Sequence, residues 1–195
     1  MTASHPAVRA PDPAPDVAAW VGGRAIPLAE LDRRLGRLRA SDRACVLPNA
    51  QTREGRQLRR WVAQVLVVEQ LCIDELAARG LGWTGDDLPD VPSRTGAVAL
   101  GSIVAAAWSG HPAVRRAAQE LTRAVSLSPA AMATARRVGT TDTGDLAWGF
   151  DELLGAARLD DFSRWLAGAV HDRVVLVPGL EHPGDSSQPD NLHRH

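Results

Sequence analysis

Residues 53–79, REGRQLRRWVAQVLVVEQLCIDELAAR, constrain this chain more than any other stretch. Leu58, Trp61, Val62, Val65, Leu66, Cys72, Ile73 and Leu76 recur at helical spacing and make an apolar face much wider than the usual stripe. Thr52 stands where an N-cap belongs and Gly80 where a left-handed C′ residue ends a helix, so the pattern predicts one helix from Arg53 to Arg79. A helix this apolar must be covered on most of its sides, which makes it the central element. Its face is also wider than the other helices are expected to cover, and apolar surface left open marks an interface. Association through helical surface follows as an expectation, in its simplest form a two-fold homodimer.

The remaining segments divide around that helix. Residues 1–16 hold four prolines in a polar setting and read as a leader without structure. Trp20-Val21 and Arg24–Ile26 read as two short strands, with the pair Gly22-Gly23 supplying the positive φ angles of a two-residue turn. Leu28, Leu31, Leu35 and Leu38 follow at helical spacing behind Pro27. Residues 17–81 therefore form a hairpin followed by two helices, with a loop over 40–52. Residues 82–96 read as loop, and 82–180 hold a second helical set packed on the first. There Ser93 caps a helix to Trp108, His111-Pro112 opens another to about Val125, and Ser128-Pro129 opens a third. Residues 140–149, TTDTGDLAWG, read as a break before a last helix from about Leu159 to Val170. RVVLVPG after it is either a short strand or an extended exit. The fold class expected is mainly α, a helical bundle around one long central helix with a small N-terminal β-hairpin.

WVGGRAIPLAELDRRLGRL followed by GRQLRRWVAQVLVVEQLCIDELAARGL resembles the N-terminal region of SurA-type chaperones and parvulin-linked foldases over roughly residues 18–81. That resemblance implies a helical chaperone module of hairpin, short helix and long helix. TGDLAW, Thr143 to Trp148, is similar to a loop of parvulin prolyl isomerase domains. Those domains also need a pair of histidines, one on an early strand and one on the last. Upstream of the loop lies SLSPAAMATARRVG, without histidine, and His171 alone cannot rebuild the pair. The resemblance thus implies an eroded isomerase domain and no prolyl isomerase activity.

Charge and composition exclude some classes. Twenty-two basic and 23 acidic residues leave a formal net charge of −1, so no global field selects nucleic acid or an anionic membrane. All the basic residues are arginine, as in the coding bias of a GC-rich genome of the actinobacterial kind, which discounts arginine runs as phosphate sites. No stretch reaches the roughly 18 apolar residues of a membrane span and no signal-peptide core opens the chain, so the cytoplasm is the expected location. Cys45 and Cys72 lack any metal or redox spacing, and Cys72 reads as core. No G-x-S-x-G, P-loop, C-x-x-C or H-E-x-x-H occurs. His171-Asp172 sit on adjoining helical positions about 100° apart and do not face each other.

Three groups of residues could still carry a function. Trp61, Trp108 and Trp165 either anchor the core of their elements or line a pocket for a peptide or an aromatic or apolar small molecule. Arg56 and Arg60, in the run Arg53, Arg56, Arg59, Arg60, either clamp an anionic group or line a solvated helix face. His193 and His195 fall on one side of an extended segment, and with His182 and Asp185 they have the donor types of a Zn or Cu site. Residues 181–195 read first as a structureless end and next as an ordered strap along the body, with the metal site third. The reading favoured is a non-catalytic chaperone-like or scaffold protein with a protein or peptide partner. The alternative is a small-molecule enzyme of actinobacterial secondary metabolism drawing its reactive groups from the histidine-rich end.

Overall fold

The computed structural model describes residues 16–84, 88–89, 92–133 and 146–185. The fold is mainly helical with a small antiparallel sheet. Two compact units are present. The described residues of Met1–Leu71 and Ala169–His195 form one, and those of Cys72–Gly168 form the other.

In the first unit β1 (Val17–Val21) and β2 (Arg24–Pro27) make the expected hairpin. Gly22 at φ 55° and Gly23 at φ 84° close it, a conformation that leaves any side chain strained, and Val21 pairs with Arg24 across the turn. The hairpin is only part of the sheet. β3 (Val174–Leu176) pairs antiparallel with β1, giving the order β2-β1-β3 and settling RVVLVPG as a strand. β1 is thereby a central strand, which explains why Val17, Ala18, Ala19 and Val21 are all buried. Pro27 caps α1 (Leu28–Arg39), whose Leu31 and Leu35 are buried while Leu28 and Leu38 are half-buried.

A 3₁₀ turn over Ala44–Val46 lies in the loop before α2 (Arg53–Ala78). The Thr52 hydroxyl accepts the Gly55 N–H at 3.1 Å, which is the cap expected there. At the other end Leu81 N–H reaches the Leu76 carbonyl and Gly80 N–H the Ala77 carbonyl, with Gly80 at φ 67°. This six-to-one and five-to-two pair is a Schellman ending. Val62 through Glu69 are buried without a gap, so more than two turns of α2 are covered on every side. That corrects the reason given for a homodimer: the apolar face expected to stay open is closed. Among the described residues the exposed large apolar side chains are Val46, Val98 and Leu153, none of them on α2.

The second unit contains the end of α2, with Cys72 and Leu76 fully buried, and the helical segments that follow as far as Gly168. α3 (Arg94–Gly110) is capped by the Ser93 hydroxyl, which accepts the Gly96 N–H, and it is broken at Gly101, where φ is 76° and ψ 160°. α4 (Pro112–Leu121) starts from His111, whose Nδ1 accepts the Ala113 N–H, and ends four residues before the expected Val125. A further helix opens at 129, with Ser128 Oγ accepting the Ala131 N–H, and leaves the described residues after 133. α5 (Leu146–Arg173) begins well before the expected Leu159. Residues 146–149, read from sequence as part of a break, are helical, and 140–145 lie outside the described residues.

Candidate functional site

Within the second unit, α3, α4 and α5 enclose a groove of about 730 Å³. One wall is the start of α3 with Thr95, Gly96 and Ala99, backed by Pro89, Pro92 and Ser93. The end of α4 contributes Ala118, Gln119 and Thr122, and the opposite wall is α5 with Glu152, Gly155, Ala156, Leu159 and Ser163. These α5 positions fall three or four residues apart and share one helix face. They span eleven residues of helix rise, so the groove follows α5 for roughly 16 Å.

The local sequence explains why a groove forms. α3 carries no charged residue from Thr95 to Gly110, and its ordered cap at Ser93 fixes where that uncharged run begins. A methyl on Gly96 would stand 3.1 Å from Leu159 Cδ1, so α3 and α5 approach through a position where only hydrogen fits without adjustment. Gly155 and Ala156 face them with almost no side chain, and small residues on both walls leave open volume between the helices. The inner end is aromatic. Trp108 lines the groove while being buried, and its ring meets the edge of Phe162 at 5.8 Å between centroids. Phe162, fully buried, stacks on Trp165 at 5.7 Å.

Charge is confined to the rim. Arg123 pairs with Glu120 at 2.7 Å and Asp160 with Arg164 at 3.2 Å, while Glu152 and Arg158 are exposed. Thr122 turns its hydroxyl to the Ala118 carbonyl at 2.7 Å, which removes that donor from the interior. What remains is an apolar trough with a polar edge, the arrangement that sequesters apolar side chains and fixes their surroundings by rim contacts.

The sequence-derived candidates distribute unevenly. Trp108 is in the groove wall and Trp165 lies behind it, joined through Phe162. Trp61 is a half-buried residue of the first unit. Arg56, also in the first unit, is exposed and donates to the Gln51 carbonyl at 3.3 Å. Arg60 departs from the solvated face expected of its run. It is 6% exposed, and its Nε donates to the Gly179 carbonyl at 3.1 Å. Beside it, buried Gln64 donates to the Leu180 carbonyl at 3.1 Å, and Leu180 is itself buried. The segment after β3 is thus strapped to α2 by two buried polar side chains.

Of the proposed metal ligands, His182 and Asp185 lie on that strap, and His193 and His195 fall outside the described residues. His182 Nδ1 accepts the Gly184 N–H at 3.0 Å, and the Glu181 carboxylate accepts the Gly179 N–H. Among the described residues no three His, Cys, Asp or Glu side chains come together as a metal site. Burial pushes the Glu69 carboxyl above its ordinary value, against the opposing pull of Arg34, with which it forms an ion pair.

The groove residues the sequence did not single out are the small ones, Gly96, Ala99, Gly155 and Ala156. Their signal was recurrence of Gly and Ala at helical spacing on two helices, which chemistry-seeking motifs pass over. The family of unknown function DUF7158 matches residues 17–54, that is, the hairpin, α1 and the loop leading into α2. No curated protein and no solved structure matches the chain. Among the described residues no single helix is long and apolar enough to cross a membrane.

Proposed function

We propose that this protein is a non-catalytic, chaperone-like or scaffold protein of the cytoplasm that holds an apolar segment of a protein partner in the groove of its second unit. The observation that carries this reading is the groove itself. Its volume of about 730 Å³ takes several apolar side chains, Gly96, Ala99, Gly155 and Ala156 leave open space between its helices, and its charged residues Glu152 and Arg158 are exposed. The resemblance of residues 18–81 to SurA-type chaperone modules points the same way. It concerns architecture, and fold alone does not license an activity.

Trp108 makes the proposal directly measurable, because a ligand in the groove changes the surroundings of its indole. Titration with a short leucine-rich peptide should shift tryptophan fluorescence and saturate. Ala156→Phe, which fills the groove from its α5 wall, should abolish the shift while leaving the thermal midpoint close to wild type. Equal peptide affinity in the wild type and the filled variant would remove the groove as the site.

A further inference from the structure

The groove of the second unit is walled by the sides of helices. Except at their ends and at the Gly101 break, α3, α4 and α5 spend their main-chain N–H and C=O groups inside their own helices, and Pro89 and Pro92 bring no N–H. Several polar side chains of the lining are occupied as well. The Ser93 hydroxyl accepts the Gly96 N–H, the Thr122 hydroxyl donates to the Ala118 carbonyl, and the Gln119 side-chain oxygen accepts from Arg116. An extended segment along the roughly 16 Å of groove brings about five residues, each with an N–H and a C=O to satisfy. Those turned to the walls meet helix flanks and no strand edge, and unpaired polar groups are costly to bury. A helix of the same length brings about eleven residues and satisfies its own backbone.

The walls also suit the girth of a helix. Ala99, Gly155 and Ala156 carry a methyl group or less, and a Cβ placed on Gly155 meets nothing within 4 Å, so another helix can lie close to α5. The charges of the lining complete the picture. Arg123 pairs with Glu120 and Asp160 with Arg164, whereas Glu152 and Arg158 are exposed and form no ion pair among the described residues. These two have opposite signs and stand about 9 Å apart along the axis of α5. Their complement is a basic and an acidic group at a similar separation, which a helix supplies from positions about two turns apart on one face.

We infer that the occupant of the groove is an amphipathic α-helix of a protein partner, about three turns long and lying along α5. Its apolar stripe fills the groove, with a basic side chain beside Glu152 and an acidic one beside Arg158. The inference rests on the groove being a site for an apolar segment of a partner, and it narrows that segment to a helix with a defined charge pattern.

The test uses the full chain and fluorescein-labelled, leucine-rich peptides of one composition, followed by fluorescence anisotropy. A peptide with leucines at helical spacing, and an arginine and a glutamate about two turns apart, should bind wild type about tenfold or more tighter than one whose leucines alternate. A proline at the centre of the helical peptide should cost a similar factor. Glutamate in place of the peptide's arginine should weaken binding to wild type about threefold, and Glu152→Arg should reverse that preference. Equal or tighter binding of the alternating peptide, still lost in Ala156→Phe, would overturn the helix while leaving the groove as a site for an apolar segment. No binding of either peptide would overturn both. A preference for arginine that survives Glu152→Arg would overturn the charge pattern assigned to the partner.

Discussion

Gly36→Ala and Gly55→Ala add the same methyl group to two helices of the same unit and should move stability in opposite directions. Gly36 is exposed in the middle of α1, and a Cβ there meets nothing within 4 Å. Alanine at such a position gains about 0.5–1 kcal/mol from reduced freedom of the unfolded chain. At Gly55 the same gain is available at most. The added Cβ, however, would lie 1.9 Å from the Asn49 carbonyl oxygen and 2.8 Å from its carbon. These are backbone atoms, so the loop must retreat as a piece. Overpacking of this kind costs about 1–3 kcal/mol. The retreat also threatens two hydrogen bonds, Thr52 hydroxyl to the Asn49 carbonyl and Gly55 N–H to Thr52, together worth about 1 kcal/mol or more. The clash therefore outweighs the propensity gain, and Gly55→Ala should be destabilising by roughly 1–3 kcal/mol. Urea melts followed by circular dichroism, compared at equal slope, measure both changes. A Gly55→Ala variant as stable as wild type would refute the close approach of the loop to α2.

Two further outcomes follow from buried polar groups. Because the Glu69 carboxyl is raised above its ordinary 4.5, its ionisation opposes folding, so the stability it adds relative to glutamine is full below about pH 4.5 and is lost as pH rises through the raised value. Urea midpoints of wild type and Glu69→Gln between roughly pH 4 and 8 should show the wild type losing ground to the variant, and a gap widening in its favour would contradict this. Arg60→Met keeps the stem but removes the donor to Gly179; it should cost about 1–3 kcal/mol and speed proteolysis after β3, whereas unchanged cleavage would mean the strap is held without it.

Signals carried by neighbouring residues were legible in the sequence. Gly22-Gly23 fixed the hairpin, Thr52, Ser93 and His111 marked helix starts, and Gly80 marked a helix end, because each works through hydrogen bonds or φ angles within a few residues. What was not legible depends on partners far along the chain. Nothing local says that Val174–Leu176 will pair with β1, or that Arg60 will be buried by a carbonyl 119 positions later. The early part of α5 escaped for a different reason. Asp151, Glu152, Leu153, Gly155 and Ala156 are all exposed, so no apolar stripe records the helix. The same exposure is what makes this stretch a groove wall, and the site was hidden by the very feature that forms it.

The most direct test of the account is suppression of aggregation. An unrelated, thermally unfolded protein is followed by light scattering with wild type or Ala156→Phe present at near-equimolar ratio and no nucleotide or metal added. The account predicts that wild type holds the unfolded chain in solution and that the groove-filled variant, equally folded, does not. Scattering that rises unchecked with wild type, or is suppressed equally by both proteins, would contradict it.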